Sequence, residues 1–201
     1  MRTILVTGFG PFPGAPFNPT GPLVQKLARL RRPGLADVKI IAHVFPTRYA
    51  AVDRDLPKLV ARYKPDALLM FGLAPRARMV RIETRARNGV MLLPDASGAA
   101  LKRHAIEPDG PATVALPAPV RSLLAAARVA RVPATLSRDA GRYLCNYLCW
   151  RAAEAAAKPG GPRIAAFVHV PMTGSKSRLS ADDLVRAGSR LIMVIATAAR
   201  R

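Results

Sequence analysis

The chain has 201 residues, of which 50% are hydrophobic and 22% charged, a composition that excludes an intrinsically disordered protein and fits a single domain over residues 1–201. Its 32 Lys and Arg residues against 12 Asp and Glu residues give a formal net charge of +20. Because the basic residues are scattered and no long basic run occurs, the composition favours a solvated basic surface over a nucleic-acid partner, which stays open as an alternative.

The longest apolar runs, 67–71 and 191–199, are shorter than the roughly 20 residues that a membrane-spanning helix needs. The first residues also lack the apolar run and cleavage site of a secretory signal. Cys145 and Cys149 lie four residues apart in one predicted helix, so we expect no loop-closing disulfide. Free thiols suit a reducing compartment, and the expected location is cytoplasmic, without a membrane partner.

In chain order, the first third alternates between strands and helices. The pattern predicts strands over 3–7, 38–44 and 67–71, separated by helices over 20–32 and 50–63. Pro57 either kinks the second helix or marks its start. Such alternation favours a mostly parallel sheet with helices on both faces.

After residue 71 the chain is less regular, and regular elements resume at residue 120. Residues 79–87 are interpreted as an exposed strand, and residues 89–119 as a long, turn-rich segment of a kind that is more often functional than idle. The following elements are a helix over 120–130, a strand over 134–137, a helix beginning near Cys145, a strand over 164–170 and a last helix capped at Ser180. The predicted fold class is α/β, a single-domain three-layer α/β/α sandwich with an open, mostly parallel twisted sheet.

Cys145 is the first candidate for chemistry. It follows a turn-like segment and precedes a predicted amphipathic helix, so its sulfur should lie near the positive end of that helix, which stabilises a thiolate. Taken alone, a cysteine at this position is better interpreted as a small buried apolar side chain. Cys149 lies one turn further into the helix and is assigned to packing.

Of three histidines, His169 is the best placed, because it follows the apolar run 164–168 and so lies at the carboxyl end of a predicted strand, where sites of parallel sheets collect. His43 lies inside a strand, and His104 lies in the turn-rich segment. Glu83, in a basic and apolar stretch, is the candidate carboxylate to orient His169, although a salt bridge to a nearby arginine is the alternative. No cysteine or histidine pair has metal-ligand spacing, so no metal is expected.

Short motifs occur in a consistent order over nearly the whole chain. They are Leu5-Val6-Thr7-Gly8-Phe9-Gly10-Pro11-Phe12, Asn18-Pro19-Thr20, Lys64-Pro65-Asp66, Phe71-Gly72-Leu73-Ala74, Glu83 with Asn88, Pro94-Asp95, Asp109-Gly110-Pro111-Ala112, Leu136-Ser137, Ala140-Gly141, Leu144-Cys145-Asn146 and Phe167-Val168-His169-Val170-Pro171. Together they resemble the pyroglutamyl peptidase I family of cysteine peptidases.

The resemblance implies an open α/β/α fold, no cofactor, and removal of an N-terminal pyroglutamyl residue from a peptide substrate with a blocked N-terminus. It implies a catalytic triad of Cys145 as nucleophile, His169 as proton-transfer partner and Glu83 as the group that orients the histidine. The substrate-binding positions that it implies are Phe9, Phe12, Asn18, Leu73, Leu93, Tyr143 and Leu144. Similarity also suggests a homo-oligomer, a dimer or a tetramer.

The chain departs from the family pattern at two positions near the expected substrate. Leu73 stands where many members have glutamine, and Leu92 stands where the family has an arginine associated with the oxyanion. Arg87 is a candidate to replace that arginine in space. We therefore expect the triad chemistry with altered selectivity, and two alternatives stay open: an amidohydrolase acting on another small blocked amide, and a non-catalytic basic protein that binds an anionic partner.

Overall fold

A computed structural model describes residues 1–12, 14–174 and 177–200. The strands are β1 (Arg2–Phe9), β2 (Val38–Phe45), β3 (Ala67–Leu73), β4 (Val80–Glu83), β5 (Arg85–Arg87), β6 (Thr113–Ala115), β7 (Ala134–Ser137) and β8 (Ile164–Val170). The helices are α1 (Thr20–Ala28), α2 (Tyr49–Tyr63), α3 (Val120–Val129), α4 (Leu144–Ala157) and α5 (Ala181–Ala198), and a short 3₁₀ helix covers Pro33–Leu35.

Six strands form the central sheet in the order β2-β1-β3-β8-β4-β7. Neighbouring strands are parallel except β4 and β8, which run antiparallel. The central strands β3 and β8 are buried along their whole length, as is usual for parallel strands covered on both faces. Strands β5 and β6 form a separate antiparallel ribbon.

Two apolar clusters fill the space on either side of this sheet. Alternate residues of β3 separate accordingly: Leu69 and Phe71 pack with the buried residues of α1, α3 and α5, and Leu68 and Met70 pack with those of α2 and α4. This separation is the two-residue period of a strand. The predicted α/β class, with helices on both faces of a mostly parallel sheet, is confirmed.

The strand predicted over 79–87 was expected to be exposed, and this part of the prediction is wrong. β4 lies between β8 and β7 inside the sheet, and Val80, Ile82 and Glu83 are at most 1% exposed. The loose alternation of residues 79–87 predicts an exposed strand, because the local pattern does not show which later strands cover β4. Residue 84 separates it from β5, so the stretch is two strands rather than one.

The helix boundaries differ modestly from the prediction. α1 ends at Ala28, before the expected stop, and Pro57 lies inside α2 rather than at its start. The predicted cap at Ser180 is confirmed: the Ser180 side chain accepts a hydrogen bond from the Asp183 backbone N–H at 3.1 Å, and the Asp183 carboxylate accepts one from the Ser180 N–H at 2.8 Å. Within the described ranges, no helix is both long and apolar enough to cross a bilayer.

Candidate active site

A cleft of about 460 Å³ lies at the carboxyl ends of β1, β3 and β8, beside the start of α4. The predicted site residues that line it are Phe9, Phe12, Asn18, Leu73, Tyr143, Leu144, Cys145 and His169. Phe9 and Tyr143 are more than 130 positions apart in the chain. The sheet brings the carboxyl ends of β1, β3 and β8 to one edge, where these residues meet. This is the edge at which ligands bind in open α/β sheets.

Cys145 is the second residue of α4, and its thiol is half-buried in the cleft. The residue preceding the helix, Tyr143, has an extended backbone and provides no side-chain cap. The first backbone N–H groups of a helix have no partner within the helix. The first turn of α4 therefore offers N–H donors and the positive end of its dipole beside the Cys145 sulfur.

The His169 imidazole is held from behind by Glu83. Its Nδ1–H donates to Glu83 Oε1 at 2.8 Å, and both side chains are buried, with Glu83 fully inaccessible. With Glu83 on the Nδ1 side, Nε2 is the imidazole nitrogen left to interact with the Cys145 thiol, which lines the same cleft. In the described part of the chain, Glu83 Oε2 has no hydrogen-bond partner, so the bond to His169 is the only one that this carboxylate makes.

The electrostatic environment of His169 favours its protonated form. Burial alone lowers the pKa of the imidazole, but the charge of Cys145 and its hydrogen bond, followed by the hydrogen bond and charge of Glu83, outweigh burial and raise the pKa to about 9. An imidazolium between a thiolate and a carboxylate has two anionic neighbours. This arrangement can stabilise a thiolate and donate a proton within the same cleft.

Gly72 on β3 provides the space that the Cys145 sulfur occupies. A Cβ atom built on Gly72 would lie 2.7 Å from Cys145 Sγ and 2.6 Å from Cζ of the Phe167 ring. Gly72 is also the register partner of His169 across the β3–β8 pair. Absence of a side chain at Gly72 therefore lets the thiol and the imidazole approach the same point of the sheet edge.

Phe9, Phe12 and Asn18 form the wall on the β1 side. Phe9 is buried and packs against Phe45 with ring centroids 5.9 Å apart. Asn18 is also buried; its amide donates to the Gly10 carbonyl at 3.0 Å, and its oxygen accepts from the backbone and hydroxyl of Thr20. Asn18 thus holds the backbone that directly follows β1, in addition to lining the cleft.

The segment that contains Leu92 and Leu93 lies differently. Both leucines are exposed, at 40% and 46%, and neither is among the residues that line the cleft. The segment is attached beside the site through its backbone, because the Tyr143 hydroxyl donates to the Pro94 carbonyl at 2.9 Å. Leu93, for which the resemblance implies a substrate-binding role, therefore does not line the cleft.

Among the residues that the structure describes, the arginines that line the cleft are Arg81 and Arg142, and Arg87 does not line it. Arg87 Nε instead lies 3.2 Å from Asp139 Oδ1. Asp139 is the only carboxylate among the described residues that line the cleft, and Arg87 pairs with it. The described lining of the cleft is consequently cationic. Sequence patterns gave no reason to single out Arg81 or Arg142 among the many arginines of this chain.

Asn146 is a further residue whose position the sequence did not predict. It is fully buried next to Cys145. Its oxygen accepts from the Arg87 backbone N–H at 2.8 Å, and its amide donates to the carbonyls of Arg87 and Gly89 at 2.9 and 3.0 Å. Asn146 therefore fixes the first turn of α4 against the end of β5.

The other candidates behave as packing or surface groups. Cys149 is fully buried, and burial, more than the neighbouring charges of Cys145 and Glu83, raises the pKa of its thiol well above the usual value. His43 lies in β2 with Nε2 3.8 Å from Asp55, and His104 is exposed. Over the described ranges, no group of three or more His, Cys, Asp or Glu side chains could hold a metal ion.

An open α/β sheet with a thiol and an imidazole in one cleft at its edge is the arrangement of a cysteine-type peptidase. Comparison with known proteins identifies the group more closely. The family model described as Pyroglutamyl peptidase matches residues 2–190. The chain belongs to the pyroglutamyl peptidase family.

Relatives and solved structures agree with this assignment. The chain is 36% identical over 174 residues to a pyrrolidone-carboxylate peptidase of Deinococcus radiodurans, covering 85% of this chain and 78% of the relative. It is 31% identical over 169 residues to the pyrrolidone-carboxylate peptidase of Pyrococcus furiosus, with coverage of 84% and 80%. The structure of the pyrrolidone carboxyl peptidase of Thermococcus litoralis superposes with a TM-score of 0.90 at 26% identity, covering 98% of this chain and 94% of that one.

Proposed function

We propose that this protein is a cysteine exopeptidase that removes an N-terminal pyroglutamyl residue from peptides, with Cys145, His169 and Glu83 as its catalytic triad. The observation that carries the proposal is the 2.8 Å hydrogen bond between Glu83 and His169, with His169 and Cys145 in one cleft. A nucleophilic thiol, an imidazole that carries its proton and a carboxylate that orients the imidazole are the requirements of acyl transfer by a cysteine.

In this mechanism the Cys145 thiolate attacks the carbonyl of the pyroglutamyl residue and forms a tetrahedral oxyanion. Backbone N–H groups at the uncapped start of α4 are suited to stabilise that oxyanion. His169 Nε2–H gives its proton to the leaving amine as the C–N bond breaks. His169 then takes a proton from water, whose oxygen attacks the thioester, so that pyroglutamate leaves and the thiol is restored.

The polarity of the cleft supports a substrate with a blocked N-terminus. An ordinary peptide begins with an ammonium group, which a binding site normally pairs with a carboxylate. Among the described cleft residues the only carboxylate is Asp139, and it already pairs with Arg87. A pyroglutamyl ring has no ammonium group, and Phe9 and Phe12 offer it an apolar wall.

The test is release of a fluorescent amine from a pyroglutamyl amide by the wild-type protein and two variants. Cys145→Ala is expected to lose turnover completely, while Cys149→Ala, which changes a buried packing residue of the same helix, is expected to retain it. Iodoacetamide should inactivate both the wild type and Cys149→Ala. Equal turnover by wild type and Cys145→Ala would refute the proposal.

A panel of amides separates this activity from that of a general amidohydrolase. The pyroglutamyl amide should react, while glutaminyl and N-acetylalanyl amides of the same fluorophore should react at least tenfold more slowly. Turnover of the acetylated amide alone would instead favour the alternative substrate class. The same preparation, tested for retention of mixed-sequence DNA at low salt, would reveal an anionic partner for the basic surface.

We also propose that residues 1–201 act as one domain in the cytoplasm. Both apolar clusters pack against the same sheet, and both cysteines are free thiols, which suits a reducing compartment. Limited proteolysis that yields two separately folded fragments would contradict the single domain.

A further inference from the structure

Among the described residues, Arg81 is one of two cleft arginines, with Arg142, that the proposed mechanism leaves without a role. It lies on β4 directly opposite His169 in the antiparallel register. Directly opposed residues of an antiparallel pair point to the same face of the sheet. The Arg81 side chain is therefore on the same face as the imidazole, and it lines the same cleft.

The strand order divides the cleft into two sides. Along the sheet edge, β1 with Phe9 comes first, then β3 with Gly72, β8 with His169 and β4 with Arg81. Neighbouring strands are about 4.8 Å apart, so the phenylalanine wall lies about 10 Å from the strand of His169 on one side, and Arg81 lies about 5 Å from it on the other.

The proposed reaction places different parts of the substrate on the β1 side and on the β4 side of the cleft. In the proposed mechanism the acyl ring binds against the phenylalanines, the scissile carbonyl is attacked by Cys145, and the leaving amine faces His169, which protonates it. The first residue of the leaving peptide then continues toward β4. Its side chain comes within reach of Arg81, because β4 is the strand next to β8.

Arg81 has a charge that nothing in the described part of the chain neutralises. No acidic side chain forms an ion pair with it there, and the one carboxylate of the cleft lining is held by Arg87. Arg81 is half-buried, so a pairing made there is screened less than one on an open surface.

We infer that Arg81 is a specificity-determining residue, which binds a carboxylate on the first residue of the leaving peptide and makes the enzyme prefer pyroglutamyl-Glu and pyroglutamyl-Asp sequences. This inference rests on the proposed pyroglutamyl peptidase activity. A guanidinium and a carboxylate can form two parallel hydrogen bonds. For a half-buried pair the expected preference over the neutral isostere is about three- to tenfold in kcat/KM.

An internal competition measures this preference directly. Equimolar pyroglutamyl-Glu-Ala amide and pyroglutamyl-Gln-Ala amide are digested together, and mass spectrometry follows the two leaving dipeptide amides; their initial rates give the ratio of kcat/KM. The wild type should favour the glutamyl peptide at low salt, and the ratio should approach one at about 1 M KCl, where screening acts over about 3 Å.

Variants assign the preference to Arg81. Arg81→Gln should bring the ratio close to one, Arg81→Lys should keep most of the preference, and Arg81→Glu should favour a lysyl peptide instead. Arg121→Gln, which removes an exposed arginine of α3 outside the cleft, should leave the wild-type ratio unchanged.

The outcomes separate this inference from the function on which it rests. Cleavage of both peptides by the wild type with a ratio near one overturns the role of Arg81 and leaves the peptidase activity standing. The same holds if Arg81→Gln keeps the wild-type ratio. A protein that cleaves neither peptide overturns both.

Discussion

Gly72→Ala is the most direct test of the site geometry, because one added methyl group acts on the nucleophile without altering any catalytic group. The new Cβ would lie 2.7 Å from Cys145 Sγ and 2.6 Å from Phe167 Cζ. Ordinary van der Waals contacts of a Cβ are about 3.4–4 Å, as for close-packed carbon atoms in protein interiors. The sulfur and the ring must therefore each move by about 1 Å, or β3 must move away from them.

Either response is costly. Phe167 is fully buried between the sheet and α4, so it has no free space to enter, and overpacking of this kind destabilises by about 1–3 kcal/mol. Displacement of a reacting atom by about 1 Å can lower the rate about a hundredfold. We expect Gly72→Ala to remain folded, with kcat/KM reduced about a hundredfold and the loss mainly in kcat.

The assay combines turnover of a pyroglutamyl amide with alkylation of Cys145 by iodoacetamide and thermal unfolding. Gly89→Ala is the matched control, because a Cβ on Gly89 has no atom within 4 Å and the substitution should change neither activity nor stability. If Gly72→Ala retains wild-type turnover and wild-type alkylation kinetics, Gly72 does not set the position of the nucleophile, and the reasoning fails.

Two further predictions concern pH and the support of α4. The pKa of His169 rises from about 6.5 in the unfolded chain to about 9; its proton therefore stabilises the folded chain, and this contribution is fully present below about pH 6.5 and lost as the pH rises through about 9. Urea unfolding between about pH 6 and pH 10 should show this decline in the wild type and not in His169→Gln, and an equal slope in both would contradict it. Asn146→Ala leaves three backbone groups of Arg87 and Gly89 without partners and should cost about 3 kcal/mol; an unchanged urea midpoint would show that these bonds contribute nothing net.

The sequence predicts those parts of the fold that depend only on residues close together in the chain. The strands over 134–137 and 164–170 and the cap at Ser180 have their predicted positions, because period and capping chemistry are local signals. The burial of β4 is not local. It depends on β7 and β8, which come more than 50 positions later in the chain, so the local pattern of residues 79–87 predicts an exposed strand instead.

The same limit applies to the site. Cys145 and His169 could be selected because each lies at the end of a recognisable element, and their roles came from a resemblance that covers most of the chain. Gly72 and Asn146 lie within the motifs that carry the resemblance, yet their contacts with Cys145 and with β5 depend on distances that only the folded chain defines. Arg81 has no local signal at all, since this chain has many arginines in similar surroundings.

The reversed direction of β4 explains why Glu83 and Arg81 have such different environments. If β4 ran parallel to β8, Glu83 at its carboxyl end would lie at the open edge of the sheet beside His169, in water. Because β4 is antiparallel, the chain moves inward from Arg81, opposite His169, to Glu83, opposite Phe167. Glu83 is therefore fully buried behind the imidazole, where low dielectric strengthens its interaction with His169, while Arg81 lies nearer the edge and faces the cleft. One strand thus supplies both the orienting carboxylate and the proposed contact to the leaving peptide.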